Sequence, residues 1–330
     1  MSSTALKFGL EPEGAPARAV RVFGWTVLAF LVAFLINNVL VVGFGFPGIR
    51  GLFSGAAGAW LHPLIYVVVA AIAVGYVLRT PTRALRWDAM CLHDFNIYVI
   101  RALFWSVLLV GIADSTIALM RVEKLFLFFM DEDTARIFGK ASWVATRIHM
   151  PLIAAAFVIA FFTRTLGFTW LALLIVAAEL AIVISRFVFS YEQALMGDLV
   201  RYWYAALFLF ASAYTLFEDG HVRVDVLYAG FGVTKRGFVN AMGSVLLGMT
   251  TCWVIIAVGF NGKQSMINSP VMNFEVSQTG SVGMFIKYQM AAFIGLFAIT
   301  MLVQFVSYFF EAVADHRDEP GHREATPAAH

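Results

Sequence analysis

Long apolar stretches separated by short polar segments run through the whole sequence. A helix needs about 20 apolar residues to cross the hydrocarbon core of a bilayer. Eight stretches are predicted to do so: 22–46, 59–78, 97–120, 142–162, 167–190, 199–217, 238–260 and 282–310. The fourth is the least regular, because it contains Arg147, His149 and Pro151. The pattern predicts an all-α fold, a polytopic helical integral membrane protein with about eight transmembrane helices.

Composition agrees with this class. Hydrophobic residues make up 61% of the chain and charged residues 13%, an apolar excess that a soluble protein of this length could not bury. Cys91 and Cys252 lie far apart without metal-ligand spacing, which predicts neither a disulfide framework nor a zinc site. Neither a glycine-rich phosphate loop nor a basic, aromatic nucleic-acid patch is present. We therefore expect a membrane protein with the lipid bilayer as its environment, without catalytic residues, cofactor or nucleic-acid partner.

The distribution of Lys and Arg predicts the topology. The first apolar run has 25 residues, longer than the core of a secretory signal, so we expect an uncleaved span. Predicted loops 79–96 and 219–237 are rich in Lys and Arg, whereas loop 261–281 contains Lys263 alone. Loop 121–141 is an exception, with four basic residues on the opposite side. Both termini are predicted to be cytoplasmic.

The polar stop after the sixth span has an unusual sequence. Residues 218–226 read EDGHVRVDV, and a helical turn there would place His221 and Asp225 on one face, with Arg223 pointing away. Composition alone is also compatible with an ordinary cytoplasmic loop.

The string HVRVD at 221–225, with RFVF at 186–189, resembles the small membrane permease subunit of TRAP (tripartite ATP-independent periplasmic) transporters. The resemblance continues through EVS at 275–277, Lys287 and Gln304. It covers residues 166–316, about half of the chain. It implies three parts: an N-terminal membrane extension of about four spans at 1–165, a four-span TRAP small-permease domain at 166–316 and a polar C-terminal tail at 317–330.

The resemblance also implies a function that is not enzymatic. In that family a periplasmic substrate-binding protein delivers substrate to a large permease subunit in the bacterial inner membrane. The small subunit is then expected to be a membrane scaffold for the large permease subunit, in sodium-driven uptake of an organic anion such as a carboxylate. Outer loops would help to receive the substrate-binding protein. The candidate subunit-interface or structural residues are His221, Arg223, Asp225, Arg186, Glu192, Asp198, Glu275, Lys287 and Glu179.

Ionisable residues within predicted spans leave two other functions open. Asp114, Glu179 and Lys287 are costly in hydrocarbon unless they are paired or hydrated. They fit either buried polar contacts that fix helix packing or the ion path of a stand-alone channel or carrier. His62 and His149 could ligate haem in a membrane subunit of a redox complex, although lone histidines in separate spans are more often plain polar contacts.

Overall fold

The computed structural model describes residues 3–165, 167–218, 228–276 and 280–322. Within these residues, eight helices are long and apolar enough to cross a membrane. In chain order they are α1 (Arg18–Gly43), α2 (Leu61–Arg79), α3 (Leu85–Val122), α4 (Ala141–Phe162), α5 (Phe168–Val188), α6 (Ala194–Phe217), α7 (Val233–Gly259) and α8 (Lys287–His316). The prediction of an all-α, polytopic helical membrane protein is confirmed, including the irregular fourth span.

The third spanning helix is longer than the sequence pattern predicts. α3 begins at Leu85, whereas the pattern indicates a loop up to residue 96. Polar side chains cause the difference, because they have partners inside the protein. His93 Nδ1 lies 3.2 Å from Gln304 Oε1, and Asn96 donates a hydrogen bond of 3.0 Å to the Thr300 carbonyl. Residues 85–96 are thus a buried helical segment rather than a polar loop.

Short helical segments lie between the spanning helices. Glu132–Ile137 is a helix whose N-cap, Asp131, accepts a hydrogen bond of 3.0 Å from the Thr134 amide, as the acidic run at 131–133 suggests. The other short segments are Ser3–Lys7, Arg50–Phe53, Leu125–Phe128, Tyr228–Gly230, Asn268–Met272 and Gly280–Val282.

Three spanning helices contain a π-helical turn that the sequence pattern did not reveal. The turns are Val39–Gly43 in α1, Ala145–His149 in α4 and Ser244–Met249 in α7. In α4 the Met150 N–H donates to the Ala145 carbonyl, five residues back. This wider turn directly precedes Pro151, which has no N–H to donate. The span therefore continues past a proline without a break.

The chain divides into two compact units, and both draw on each half of the sequence. The first contains Met1–Asn96, Ala213–Lys263 and Ala298–His330. The second contains Ile97–Ser212 and Gln264–Phe297.

In the first unit, α1 packs against α2. Trp25 and Tyr76 meet edge to face at a centroid distance of 5.0 Å, as do Phe30 and Tyr66 at 5.8 Å. Gly24 lies against the Phe310 ring so closely that a Cβ there would come within 2.4 Å of it. A side chain at that position would displace the ring, so the sequence places glycine where the backbone must approach.

The core of the second unit is apolar and contains large aromatic residues. Ile117, Phe126, Val144 and Phe285 form a buried cluster. Nearer the start of α3, a Cβ on Gly111 would lie 2.4 Å from the indole nitrogen of Trp203, a contact that only glycine permits without a shift. These contacts hold together α3, α4, α6 and the segment just before α8.

Candidate subunit-interface site

The candidate residues that the structure describes all lie in the second unit, and two of them, Glu179 and Arg186, lie on α5. α5 is an apolar helix of 21 residues, in which only Glu179 and Arg186 are charged. It is a peripheral helix, because 6% of the residues in its most apolar stretch are buried. Leu171 is its one fully buried residue among those described. Most of its surface is therefore available to lipid or to another protein.

Glu179 lies in the middle of α5 with its side chain exposed. Val176 and Val183, one turn before and one turn after it, are 65% and 48% exposed. We call these three residues the α5 face. Glu179 makes no hydrogen bond or ion pair with any residue in the described part of the chain. The interpretation of Glu179 as a buried contact that fixes packing within this chain does not fit its position.

The loop from α5 to α6 forms a polar cluster at the end of α5. Arg186 and Glu192 form an exposed ion pair with an N–O distance of 3.4 Å. The Tyr191 hydroxyl donates to a Glu123 carboxylate oxygen at 2.6 Å, and Gln193 donates to the same oxygen at 3.2 Å. The hydrogen bond to Glu123 raises the pKa of the Tyr191 phenol, since ionisation would remove the donor. The loop presents both charge signs on an ordered surface.

Glu275 and Lys287 form a second ion pair on this unit. Each side chain is 43% exposed. Lys287 is the first residue of α8, not a residue inside the span, because α8 begins five residues later than the apolar run. Its charge thus lies at a helix end, beside an acidic partner, and carries little of the cost that a mid-span position would impose.

Asp198 has a structural role in this geometry. Its side chain is 6% exposed and accepts a hydrogen bond of 3.1 Å from the Met284 amide, while Arg201 lies 3.4 Å away. The carboxylate thus satisfies a backbone donor just before α8 begins. We assign Asp198 to the fold of the second unit rather than to an exposed surface.

A buried polar network in the same unit was not predicted as a cluster. Asp114 accepts from the Phe285 amide at 2.6 Å and lies 3.2 Å from Nε2 of His149. Nδ1 of His149 lies 3.0 Å from the Tyr288 hydroxyl and 3.2 Å from the Gln289 amide. Tyr202 donates to the other end of that amide group. Asp114 therefore fixes helix packing through its hydrogen bonds. The sequence signal for this role was a charged residue inside an apolar span.

The network also bears on the haem alternative. Both ring nitrogens of His149 face polar protein atoms, which leaves neither directed at an iron. His62 belongs to the other compact unit. In the described part of the chain, His, Cys, Asp and Glu side chains nowhere form a group of three that could hold a metal ion. The contacts of His149 therefore do not support its role as an iron ligand in the redox hypothesis.

The turn containing His221, Arg223 and Asp225 lies outside the described residues. Its predicted role at a subunit interface therefore stays a prediction.

Comparison with known proteins identifies the segment that contains this site. Residues 172–311 match the family model "Tripartite ATP-independent periplasmic transporters, DctQ component". No curated protein and no solved structure matches the chain. The family match begins inside α5 and ends inside α8, so it includes every candidate subunit-interface residue. Residues 1–171 precede it. Residues 172–311 thus match the DctQ component, the small permease of TRAP transporters, and the spanning helices α1–α4 precede the matched segment.

Proposed function

We propose that this protein is the membrane scaffold of a TRAP-type secondary transporter and that it docks to the large permease subunit through the α5 face. The family match supports the transporter class. The observation that carries the docking surface is Glu179, a carboxylate exposed in the middle of an apolar helix.

Glu179 lies too far from either end of α5 for its side chain to reach water. It lies 11 residues after the start and 9 before the end of α5, about 16 and 14 Å at about 1.5 Å per residue. A glutamate side chain is too short to cover that distance. Insertion scales assign about 2.5–3.5 kcal/mol to Asp, Lys or Arg at a helix centre, and the cost falls when a partner supplies hydrogen bonds or charge.

α2 provides a matched comparison. It is as peripheral as α5, with 6% of its most apolar stretch buried, against 28–56% in the other six spanning helices. Between His62 and Arg79 it has no ionisable residue except Tyr66 and Tyr76. α2 is thus suited to lipid on its exposed side. α5 differs from α2 in having one carboxylate, Glu179, halfway along the helix. This difference indicates that α5 has a protein neighbour.

The neighbour that fits is a transmembrane helix presenting a cation or an N–H or O–H donor at the depth of Glu179. A second copy of this chain fits less well, because a symmetric α5 contact would bring two carboxylates together. In a TRAP transporter the large permease subunit supplies many transmembrane helices and is the neighbour we propose.

The remaining parts of the proposal rest on the family. The exposed pairs Arg186–Glu192 and Glu275–Lys287 are available to a periplasmic substrate-binding protein. The transported solute is an organic anion such as a carboxylate, and sodium drives its uptake. Both termini face the cytoplasm, and residues 1–165 are an amino-terminal extension that packs with residues 166–316 and enlarges the perimeter of the scaffold. The turn at 221–225 contributes to the subunit contact.

Isolation from native membranes tests the proposal. The tagged chain is expected to recover a large multi-span permease, and Glu179→Leu is expected to reduce that recovery tenfold or more. Glu179→Gln should give an intermediate yield, since an amide keeps hydrogen bonds but loses the charge. Leu180→Ala, at an exposed neighbouring position, is the control and should leave recovery unchanged.

The outcomes distinguish an error in the proposed function from an error in the proposed docking surface. If the unaltered chain recovers no large permease, the scaffold function is wrong. If it recovers the permease and Glu179→Leu recovers it equally well, the function stands and the α5 face is the wrong surface. The thermal stability of the Glu179→Leu chain should equal or exceed that of the parent, because Glu179 makes no hydrogen bond or ion pair with a described residue.

A further inference from the structure

The first compact unit contains a polar cavity at one end of three spanning helices. Its volume is about 660 Å³, in the range of small-ligand sites. Residues from the end of α1, the start of α2 and the end of α7 line it, together with the segment around Arg50. Because all three helices end here, the cavity lies at the level where lipid headgroups meet the hydrocarbon.

The polar lining of the cavity favours an anion. It includes Asn37, Asn38, Arg50, His62 and Asn261, and none of its lining residues is Asp or Glu. Arg50 is exposed and makes no ion pair with a described residue. Guanidinium and amide N–H groups are suited to phosphate oxygens, to which they donate charge-assisted hydrogen bonds. The cavity thus presents several donors and one positive charge without a competing carboxylate.

One lining group has an unmet hydrogen-bonding capacity. Nδ1 of His62 is buried and has no hydrogen-bond partner among the described residues. The Asn37 side chain, itself buried, donates to the His62 carbonyl at 3.2 Å and so fixes the histidine backbone against α1. A buried ring nitrogen without a partner is unfavourable, and a ligand oxygen would accept from it in the Nδ1–H tautomer.

The rest of the lining is apolar and favours an amphipathic ligand. Phe34, Val42 and Phe260 contribute to the wall. Phe34 is itself held by edge-to-face contacts with Trp253 and Phe260, at centroid distances of 6.1 and 6.2 Å. A phosphate next to Arg50 and His62 would leave its attached carbon chain against these rings.

We propose that this cavity binds a phosphate-bearing anion, with Arg50, His62 and the asparagine amides around the phosphate. Two sources share that chemistry: the headgroup of an anionic phospholipid and free phosphate. The site combines residues that precede the DctQ match with α7 inside it, and it is independent of the docking surface on α5.

Binding to the purified full chain tests the site. The probes are phosphatidylglycerol, phosphatidylcholine and inorganic phosphate, measured by native mass spectrometry and by competition in detergent. We expect retention of phosphatidylglycerol, weakened about ten- to a hundredfold by Arg50→Gln. Ala257→Trp keeps every charge but fills the cavity and should abolish retention. Arg79→Gln, which removes an exposed arginine at the other end of α2, is the matched control and should bind like the parent.

The three probes distinguish the two sources of phosphate and show whether the proposal fails. Competition by inorganic phosphate identifies a free-anion site, whereas its absence identifies the lipid headgroup. Equal retention of phosphatidylglycerol by the parent, Arg50→Gln and Ala257→Trp would overturn the proposal, as would equal affinity for phosphatidylcholine with no effect of phosphate. Arg50 is exposed on a short surface helix, so its replacement should leave the protein folded, which the elution profile checks.

Discussion

Two ion pairs of similar length in this protein have very different surroundings. Arg21 and Asp88 are 2.7 Å apart with both side chains 0% exposed. Trp25 donates to the same carboxylate at 2.9 Å, and the Arg21 guanidinium also binds the Thr80 carbonyl and hydroxyl. Arg136 and Glu132 are 2.8 Å apart, but their side chains are 69% and 71% exposed. Burial, not distance, determines what each pair contributes.

Asp88→Ala should destabilise the protein by about 3–5 kcal/mol, because it leaves the Arg21 charge buried without a partner. Glu132→Ala, the control, should change stability by less than about 0.5 kcal/mol, since water solvates the exposed Arg136. Thermal unfolding of the purified protein in detergent measures both. Equal melting temperatures for the two variants would contradict this assignment.

The same distinction limits what the sequence reveals about single residues. Asp114 and Glu179 are both carboxylates within apolar stretches, and the sequence treats them alike. In the structure Asp114 is buried with a backbone amide and His149 as partners, whereas Glu179 is exposed on α5. Sequence pattern identifies the costly residue, but only tertiary packing shows whether the chain itself supplies the partner.

At the scale of elements, apolar length predicts the spanning helices well and their ends less well. Every predicted span corresponds to a helix, because about 20 apolar residues have few alternatives in a bilayer. The start of α3 was missed because its polar residues pack inside the protein. The π-helical turn at 145–149 was also missed, since it depends on how α4 accommodates Pro151 among its neighbours.

The helix Glu132–Ile137 depends on a single N-cap. The Thr134 amide, and then its hydroxyl, donate to Asp131 and lower the pKa of that carboxyl. A lowered pKa in the folded state stabilises the helix above the ordinary aspartate pKa of about 3.9, and the effect is lost as the pH falls through the lowered value.

We therefore expect Asp131→Ala to increase hydrogen exchange of the Thr134 amide near neutral pH. Asp133→Ala removes a side chain that is 92% exposed and keeps the backbone of the cap, so this variant is the control and should have little effect. In the parent protein, local helix content should stay constant down to about pH 4 and decrease below it. Protection of Thr134 that is equal in all three proteins would show that the cap does not hold this helix.

At the scale of the whole molecule, the two halves of the sequence fold together. The second compact unit joins residues 97–165, which precede the family match, to residues within it. Asp114 and His149 come from the first half, while Tyr202, Phe285, Tyr288 and Gln289 come from the second. The sequence predicted two successive sets of spans and marked Asp114 as costly, but it did not indicate which residues of the second half would be its partners.

A chain truncated before Thr165 should fail to form a monodisperse protein, because the Phe285 amide and the buried Tyr288 and Gln289 would lose their partners. Co-expression of residues 1–164 with residues 165–330 should restore a stable complex. Size-exclusion chromatography after membrane extraction distinguishes the two samples. A truncated chain that elutes as cleanly as the full protein would show that the amino-terminal half is dispensable for folding.

Site-specific photo-crosslinking in native membranes tests the central claim most directly. A photoreactive residue at Val183 lies on the α5 face, and one at Val67, 64% exposed on α2, is the matched control. The account predicts crosslinks from position 183 to a large multi-span permease and from position 67 to lipid. Crosslinks from position 183 to lipid alone, or to another copy of this chain, would contradict it.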